Sequence, residues 1–226
     1  SLTIAGGGHT IDSAARGILR VAGGTKDAVV KVILKNLTIG SPESKANRAI
    51  QLSNAYVDLT LDHVTLDVSN GSDNTQPLTI GGDTTQAQEE AGSGEPLVTV
   101  NVVDSYIYAS SKGYAIIIFN PVKLTVKNSQ INQEGIGWNA VYFKSNAGGG
   151  YGANYSDVTL DGCTIYSTNA YADSDWNSFS AFQFEDSKID LTVSGCTIVV
   201  TENPDTTPDS AKQSLVSFNN SWGVLE

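Results

Sequence analysis

Methionine is absent from the chain, arginine is confined to Arg16, Arg20 and Arg48, and cysteine to Cys163 and Cys196. No apolar run approaches the roughly 18 residues that mark a membrane-spanning helix, so membrane insertion is not expected. No secretory leader opens the chain, and position 1 is Ser1. The sequence therefore reads as a segment cut from a longer, exported precursor. Cations are scarce: 13 Lys and Arg stand against 24 Asp and Glu, for a net charge of −11. A nucleic-acid partner would need Lys and Arg to displace counterions, so none is expected. The same balance disfavours direct capture of a polyanionic sugar, unless a metal ion bridges the two negative partners.

Repetition dominates what is present. Leu124 to Ile131 (LTVKNSQI) recurs as Val32 to Ile39 (VILKNLTI), Leu59 to Leu66 (LTLDHVTL), Val100 to Ile107 (VNVVDSYI), Val158 to Ile165 (VTLDGCTI) and Leu191 to Ile198 (LTVSGCTI). A looser copy, Leu2 to Ile11, carries two extra residues around Gly7-Gly8. Start-to-start spacings of 27, 41, 24, 34 and 33 residues mean that the motif is kept while the loops vary. Positions one, three and eight are aliphatic and positions two and four polar or variable, which is strand alternation with one buried face. The fifth position reads Asn36, His63, Asp104, Asn128, Gly162 and Gly195. These residue types best tolerate a left-handed backbone, so each copy is expected to be strand, one-residue bend, strand.

A second signal follows each copy: Ala49 to Leu52, Pro77 to Ile80, Ala115 to Ile118, Ala140 to Phe143 and Ala181 to Phe184, with looser versions at Gly17 to Val21 and Leu215 to Phe218. Three short strands per repeat predict a coiling chain in which each strand lies about 4.8 Å from its counterpart in the next coil. The expected fold is all-β, a parallel β-helix of about seven coils forming one domain over residues 1–226, with its last strand near Phe218. Cys163 and Cys196 occupy the same motif position one coil apart. Side chains stacked in parallel register point the same way and rarely reach the torsion a disulfide requires, so two reduced, packed thiols are expected.

The pattern resembles the right-handed, single-stranded parallel β-helix of the pectate-lyase-like superfamily. It is most similar to adhesin-like members on bacterial surfaces, which share motifs such as Leu2-Thr3-Ile4 followed by Gly8-His9-Thr10-Ile11-Asp12. The resemblance implies an extracellular or cell-surface location. It is less specific for activity, because the fold carries lyases, hydrolases, adhesins and phage tailspikes alike.

Several constellations bear on chemistry. Trp138, Tyr151, Tyr155, Tyr166, Tyr171 and Trp176 fall in or beside loops of two adjacent coils and are the candidate ligand-binding residues. Aromatic faces stack on the apolar faces of sugar rings while nearby Asp and Asn bond the hydroxyls; the alternative is that these rings pack loops onto the body. Tyr166 to Ser180 reads as an insertion. Within it Asp173, Asp175 and Asn177 alternate like the start of a calcium loop, but Ser178 stands where glycine is expected and Glu185 comes one residue late. No cofactor is expected beyond that incomplete Ca²⁺ pattern. A glycosidase would need paired carboxylates about 5 to 9.5 Å apart, for which Asp173, Asp175, Glu185 and Asp186 are the candidates. The Asn-Thr-Asp, Gly-Asp-Asp and Gly-His-Gly signatures usual for hydrolases on this fold are missing, and no arginine reaches that half of the chain to serve a lyase. Asp62 and Asp161 share a motif position with Lys35 and Lys127 and read as outward, solvated charges. His63 stands at a bend position, which points to a backbone role, and His9 has no second ligand nearby.

The expectation is a monomeric, adhesin-like β-helix that binds a glycan or surface polymer without catalysis. A polysaccharide lyase or glycoside hydrolase is the competing reading, and a rigid spacer the third.

Overall fold

The computed structural model describes residues 1–53, 56–71, 74–81, 98–110, 113–144, 155–169, 179–185, 187–202, 213–219 and 221–226. At 110, 134–137, 144, 155, 169, 179, 202, 213–214, 217–219 and 222 only the backbone is described. These residues form a parallel β-helix with no helix among them. Coil one holds β1 (Leu2–Ala5), β2 (Thr10–Ile11) and β3 (Gly17–Ala22). Coil two holds β4 (Val30–Gly40) and β5 (Arg48–Ser53), and coil three β6 (Val57–Asp67) and β7 (Leu78–Ile80). Coil four is β8 (Val98–Val103), β9 (Tyr106–Ser110) and β10 (Tyr114–Ile118); coil five is β11 (Val122–Lys127), β12 (Gln130–Gly137) and β13 (Asn139–Lys144). Coil six is β14 (Tyr155–Asp161), β15 (Thr164–Asn169) and β16 (Phe179–Glu185); coil seven is β17 (Lys188–Ser194), β18 (Thr197–Glu202) and β19 (Gln213–Asn219).

β20 (Trp222–Leu225) then pairs with β17 and opens an eighth coil, so the last strand lies beyond Phe218. The insertion expected from Tyr166 also starts later, because Tyr166 to Asn169 lie in β15. Their partners in β12 and β18 hold them in the ladder.

All named strand pairings are parallel and mostly in strict register. The strands of the first and second positions make up a first and a second sheet, joined by pairing into one 13-stranded sheet folded at the corner that β4 and β6 run straight through; the third position forms a separate 7-stranded sheet, the third sheet. Identical motif positions stack. Val32, Leu59, Val100, Leu124, Val158 and Leu191 form one buried row. Ile50, Leu78, Ile116, Val141 and Phe182 form another on the third sheet. The core is thus a column of aliphatic layers. Each fully buried Leu, Ile or Val contributes about 1.5–3 kcal/mol relative to exposure, before the entropy of ordering the chain is subtracted.

The bend column is realised at every expected position. Asn36, His63, Asp104 and Asn128 have φ between 47° and 55°, and Gly162 and Gly195 have 64° and 60°. Adjacent registers, such as Lys35↔Asp62 and Leu37↔Val64, stack these six residues along the axis.

The position after the bend does more than pack. Ser105 Oγ accepts from the Val64 N–H at 3.0 Å and donates to the Val103 carbonyl at 2.7 Å. Ser129 Oγ repeats this with the Ser105 N–H (3.0 Å) and the Lys127 carbonyl (2.6 Å). Cys196 Sγ accepts from the Cys163 N–H at 3.3 Å, so sulfur takes over the same bridging place. Both thiols are free, and burial pushes the Cys163 thiol above its ordinary value. A buried N–H left unpaired at this corner would be costly, which explains hydroxyl and thiol side chains in an otherwise apolar row.

The corner sets the first prediction. A Cβ on Gly162 would lie 2.9 Å from Asn128 Oδ1, and a β-branched residue is poorly tolerated at positive φ. Gly162→Val is expected to lower the unfolding free energy by about 1–3 kcal/mol, read as a lower urea midpoint with unchanged slope.

Candidate functional site

Because every outward position repeats once per coil, the second strand position carries two side-chain columns on its outer side, in which Asp67 and Asn132 are themselves buried. One runs Thr38, Thr65, Tyr106, Gln130, Thr164, Thr197. The other runs Asp67, Tyr108, Asn132, Tyr166, Val199. Threonine and tyrosine suit an outward strand position, since their branched or aromatic side chains pack across a pleated surface.

In the middle of this face the side chains are fixed. The Tyr106 and Tyr108 rings stand nearly parallel, 18° apart with centroids 5.8 Å apart. Asn132 Nδ2 donates to Tyr106 Oη at 3.2 Å, and Gln130 Nε2 donates to Asn132 Oδ1 at 3.0 Å. Asn132 is 4% exposed, whereas Tyr106, Tyr108 and Tyr166 are half-buried. Tyr108 and Tyr166 flank Asn132 one coil to either side, so their backbones stand roughly 10 Å apart. Chemically this is a polar surface with aromatic edges and preset amides.

Beside it, the bend column forms an open groove lined by His63, Asp104, Asn128, Tyr106, Gln130 and Thr164. The groove continues toward coil two past Asn36 and Thr38. Its first-sheet border carries charges that pair off: Lys35–Asp62 at 3.1 Å and Lys127–Asp161 at 3.8 Å, with Lys31–Asp58 at 3.9 Å further out. This is the outward, solvated ladder expected from the motif. His63 Nδ1 lies 2.7 Å from Asp62 Oδ1. Hydrogen bonds from His63 and then Lys35 hold the Asp62 carboxyl below its usual range.

The third sheet carries a separate aromatic cluster on its outer face. Tyr114 stacks on Tyr142 with centroids 4.5 Å apart and lies 5.0 Å from Trp138, while Ile117 and Phe119 pack beside them. Tyr142 donates its hydroxyl to Glu185 Oε2. Burial, and then the Glu185 carboxylate, pushes the Tyr114 phenol well above its ordinary value. Phe143, next to Tyr142, points the other way and packs on Phe184 in the core.

The candidate residues are thereby distributed. Trp138 belongs to the third-sheet cluster and Tyr166 to the second-sheet face, so these two do not share one flank. Tyr155 contributes backbone to β14, its side chain lying outside the described set. Tyr151, Tyr171, Trp176, Asp173, Asp175, Asn177 and Asp186 also lie outside the described residues. Of the four carboxylates weighed for hydrolysis, only Glu185 is described, and it is engaged by Tyr142. Tyr106 and Tyr108 were legible as outward residues, since each alternates with buried Ile107. The motif register places Tyr106 opposite Gln130, and Tyr108 in line with Asn132 and Tyr166, one coil apart in each case; the side-chain contacts among them appear only in the structure.

No protein-family model matches the chain, and no curated protein or solved structure shows significant similarity to it.

Asp62 gives a pH-dependent test. A carboxyl depressed in the folded state stabilises above its ordinary pKa, and that stability is lost as pH falls through the depressed value. Carbon-detected NMR is expected to place the Asp62 midpoint below that of an unperturbed aspartate. His63→Asn, which keeps a residue suited to the bend, should raise it; an unmoved midpoint would show that His63 is not the cause.

Proposed function

We propose that the chain is a bacterial cell-surface or secreted, adhesin-like β-helix domain that binds a glycan or other surface polymer without turning it over. The observation that carries this reading is the second-sheet face, where Tyr106, Tyr108 and Tyr166 stand partly exposed beside Gln130, with Tyr106 and Gln130 both held by the buried Asn132 amide. Sugars are bound by aromatic faces together with a few placed hydrogen-bonding groups. Preset side chains lose little freedom on binding, which favours affinity on an otherwise open surface. The rigidity of the stacked coils keeps that spacing constant.

One observation favours a second reading, that of a rigid spacer. Tyr114 and Tyr142 are 8% and 6% exposed, so the third-sheet aromatics brace the body and present little ring surface. The two readings part on the second-sheet tyrosines. Tyr108→Ala and Tyr166→Ala are each expected to weaken retention on immobilised neutral polysaccharide by a few-fold to about tenfold, corresponding to about 0.5–1.5 kcal/mol per ring. Their circular dichroism should be unchanged. Failure of the wild-type protein to be retained on any polysaccharide or cell-wall preparation would leave the spacer reading standing.

A further inference from the structure

The outer face of the first sheet carries its charges by whole coils. Coil two presents Lys31 and Lys35, and coil three Asp58 and Asp62 at the same two positions. Coil four places uncharged Thr99 and Val103 there, on either side of Asn101. Coil five repeats coil two with Lys123 and Lys127, and coil six repeats coil three with Asp157 and Asp161. Along the axis the order is plus, minus, neutral, plus, minus. None of these side chains is buried. Attraction across the ladder explains why lysine lies next to aspartate within the chain. It does not require both lysine–aspartate steps to run in the same direction, because a reversed step would satisfy the ladder equally well.

That shared direction matters between molecules. Let a second copy face the first sheet with its axis antiparallel, so that Asn101 of coil four meets its own counterpart about a two-fold axis. The lysines of coil two then face the aspartates of coil six, and the aspartates of coil three face the lysines of coil five. Each meeting occurs twice by symmetry. Asp190 of coil seven falls opposite coil one, where Thr3 and Ala5 bring no carboxylate. Moving the partner by one coil sets lysines on lysines, or aspartates on aspartates. A two-fold pairing with parallel axes sets every coil on its own charge. Of the two-fold pairings of this face, one register alone is complementary throughout.

We propose that the first-sheet face over coils two to six is a self-association surface, which pairs with the same face of a second copy as an antiparallel dimer centred on Asn101. The whole chain carries −11, so two copies repel over most of their surface. On this face four lysines meet four aspartates and the sum is zero. Between the charged columns Thr60, Asn101, Thr125 and Thr159 are short enough for two sheets to approach to about 10 Å. Five coils of five residues give a footprint of about 24 by 17 Å, roughly 400 Å² per copy. A standard stable interface needs about 800 Å² per partner, so the dimer is weak and reversible, where the sequence alone suggested a monomer. Polysaccharide retention by the second sheet does not depend on it.

Charge exchange tests the register. One variant combines Lys123→Asp, Lys127→Asp, Asp157→Lys and Asp161→Lys; the other combines Lys31→Asp, Lys35→Asp, Asp58→Lys and Asp62→Lys. Each keeps lysine beside aspartate within the chain, yet sets like charges together in its own dimer. Mixed, the two variants are complementary in every coil. Sedimentation velocity in low salt is expected to show concentration-dependent dimers of wild type that weaken at least about tenfold near 0.5 M salt. Each variant alone should associate at least about tenfold more weakly, and the equimolar mixture should regain wild-type association. Wild type that stays monomeric at millimolar concentration in low salt would overturn the surface. So would a variant that dimerises as wild type does. A mixture that stays monomeric would overturn the antiparallel register. Circular dichroism checks folding; should either variant fail it, Lys123→Gln with Lys127→Gln is expected to weaken dimerisation several-fold, and unchanged association there would overturn the proposal.

Discussion

The structure depends on one constraint: each strand hydrogen-bonds to the same strand of the next coil, in parallel and in register. A residue's closest neighbours are then its own counterparts one coil away, at about 4.8 Å. Whatever chemistry a motif position has becomes a column. Aliphatic positions become the core, bend positions become a left-handed corner, and the position after the bend becomes a row of hydroxyl and thiol bridges. Stability in such a chain is close to a sum of coil and coil–coil terms, so one out-of-register coil weakens two interfaces at once.

The same constraint shapes the outer surface. Lysine in one coil meets aspartate in the next at 3.1 Å for Lys35–Asp62 and 3.8 Å for Lys127–Asp161. Exposed pairs of this kind add at most about 1 kcal/mol each. Their larger effect is to cancel charge along the groove border, leaving amides, hydroxyls and a tyrosine ring to face solvent. The second-sheet face and the corner groove share Tyr106 and Gln130. A ligand that touches one therefore touches the edge of the other, and the two form one continuous polar surface over coils three to six.

The third sheet behaves differently because its outer side chains turn to one another. Tyr114, Tyr142, Ile117, Trp138 and Phe119 come from coils four and five, and the Tyr142 hydroxyl closes onto Glu185 of coil six. Stacked rings and a hydrogen-bonded carboxylate tie three coils together on a face whose strands alone pair only edge to edge. Binding and bracing, which a list of aromatic residues cannot separate, are thus assigned to different sheets.

The sequence by itself determined the strand motif, the first seven coils, the aliphatic layers and all six bend residues, because these follow from period-two alternation and from the few residue types that accept positive φ; the eighth coil opened by β20 was not foreseen. It also marked Lys35, Asp62, Lys127 and Asp161 as outward, since polarity alternates with burial. Other features were invisible in it. The continuity of β4 and β6 through the bend depends on hydrogen bonds formed on both sides of Asn36 and His63. The membership of Tyr166 in a strand depends on Asn132 and Val199 lying beside it. The Ser105 and Ser129 bridges depend on N–H groups one coil away. Only the tertiary structure decided which aromatics face solvent and which face one another, because loops of unequal length separate the coils. Register across those gaps is set by hydrogen bonding between strands and not by distance along the chain.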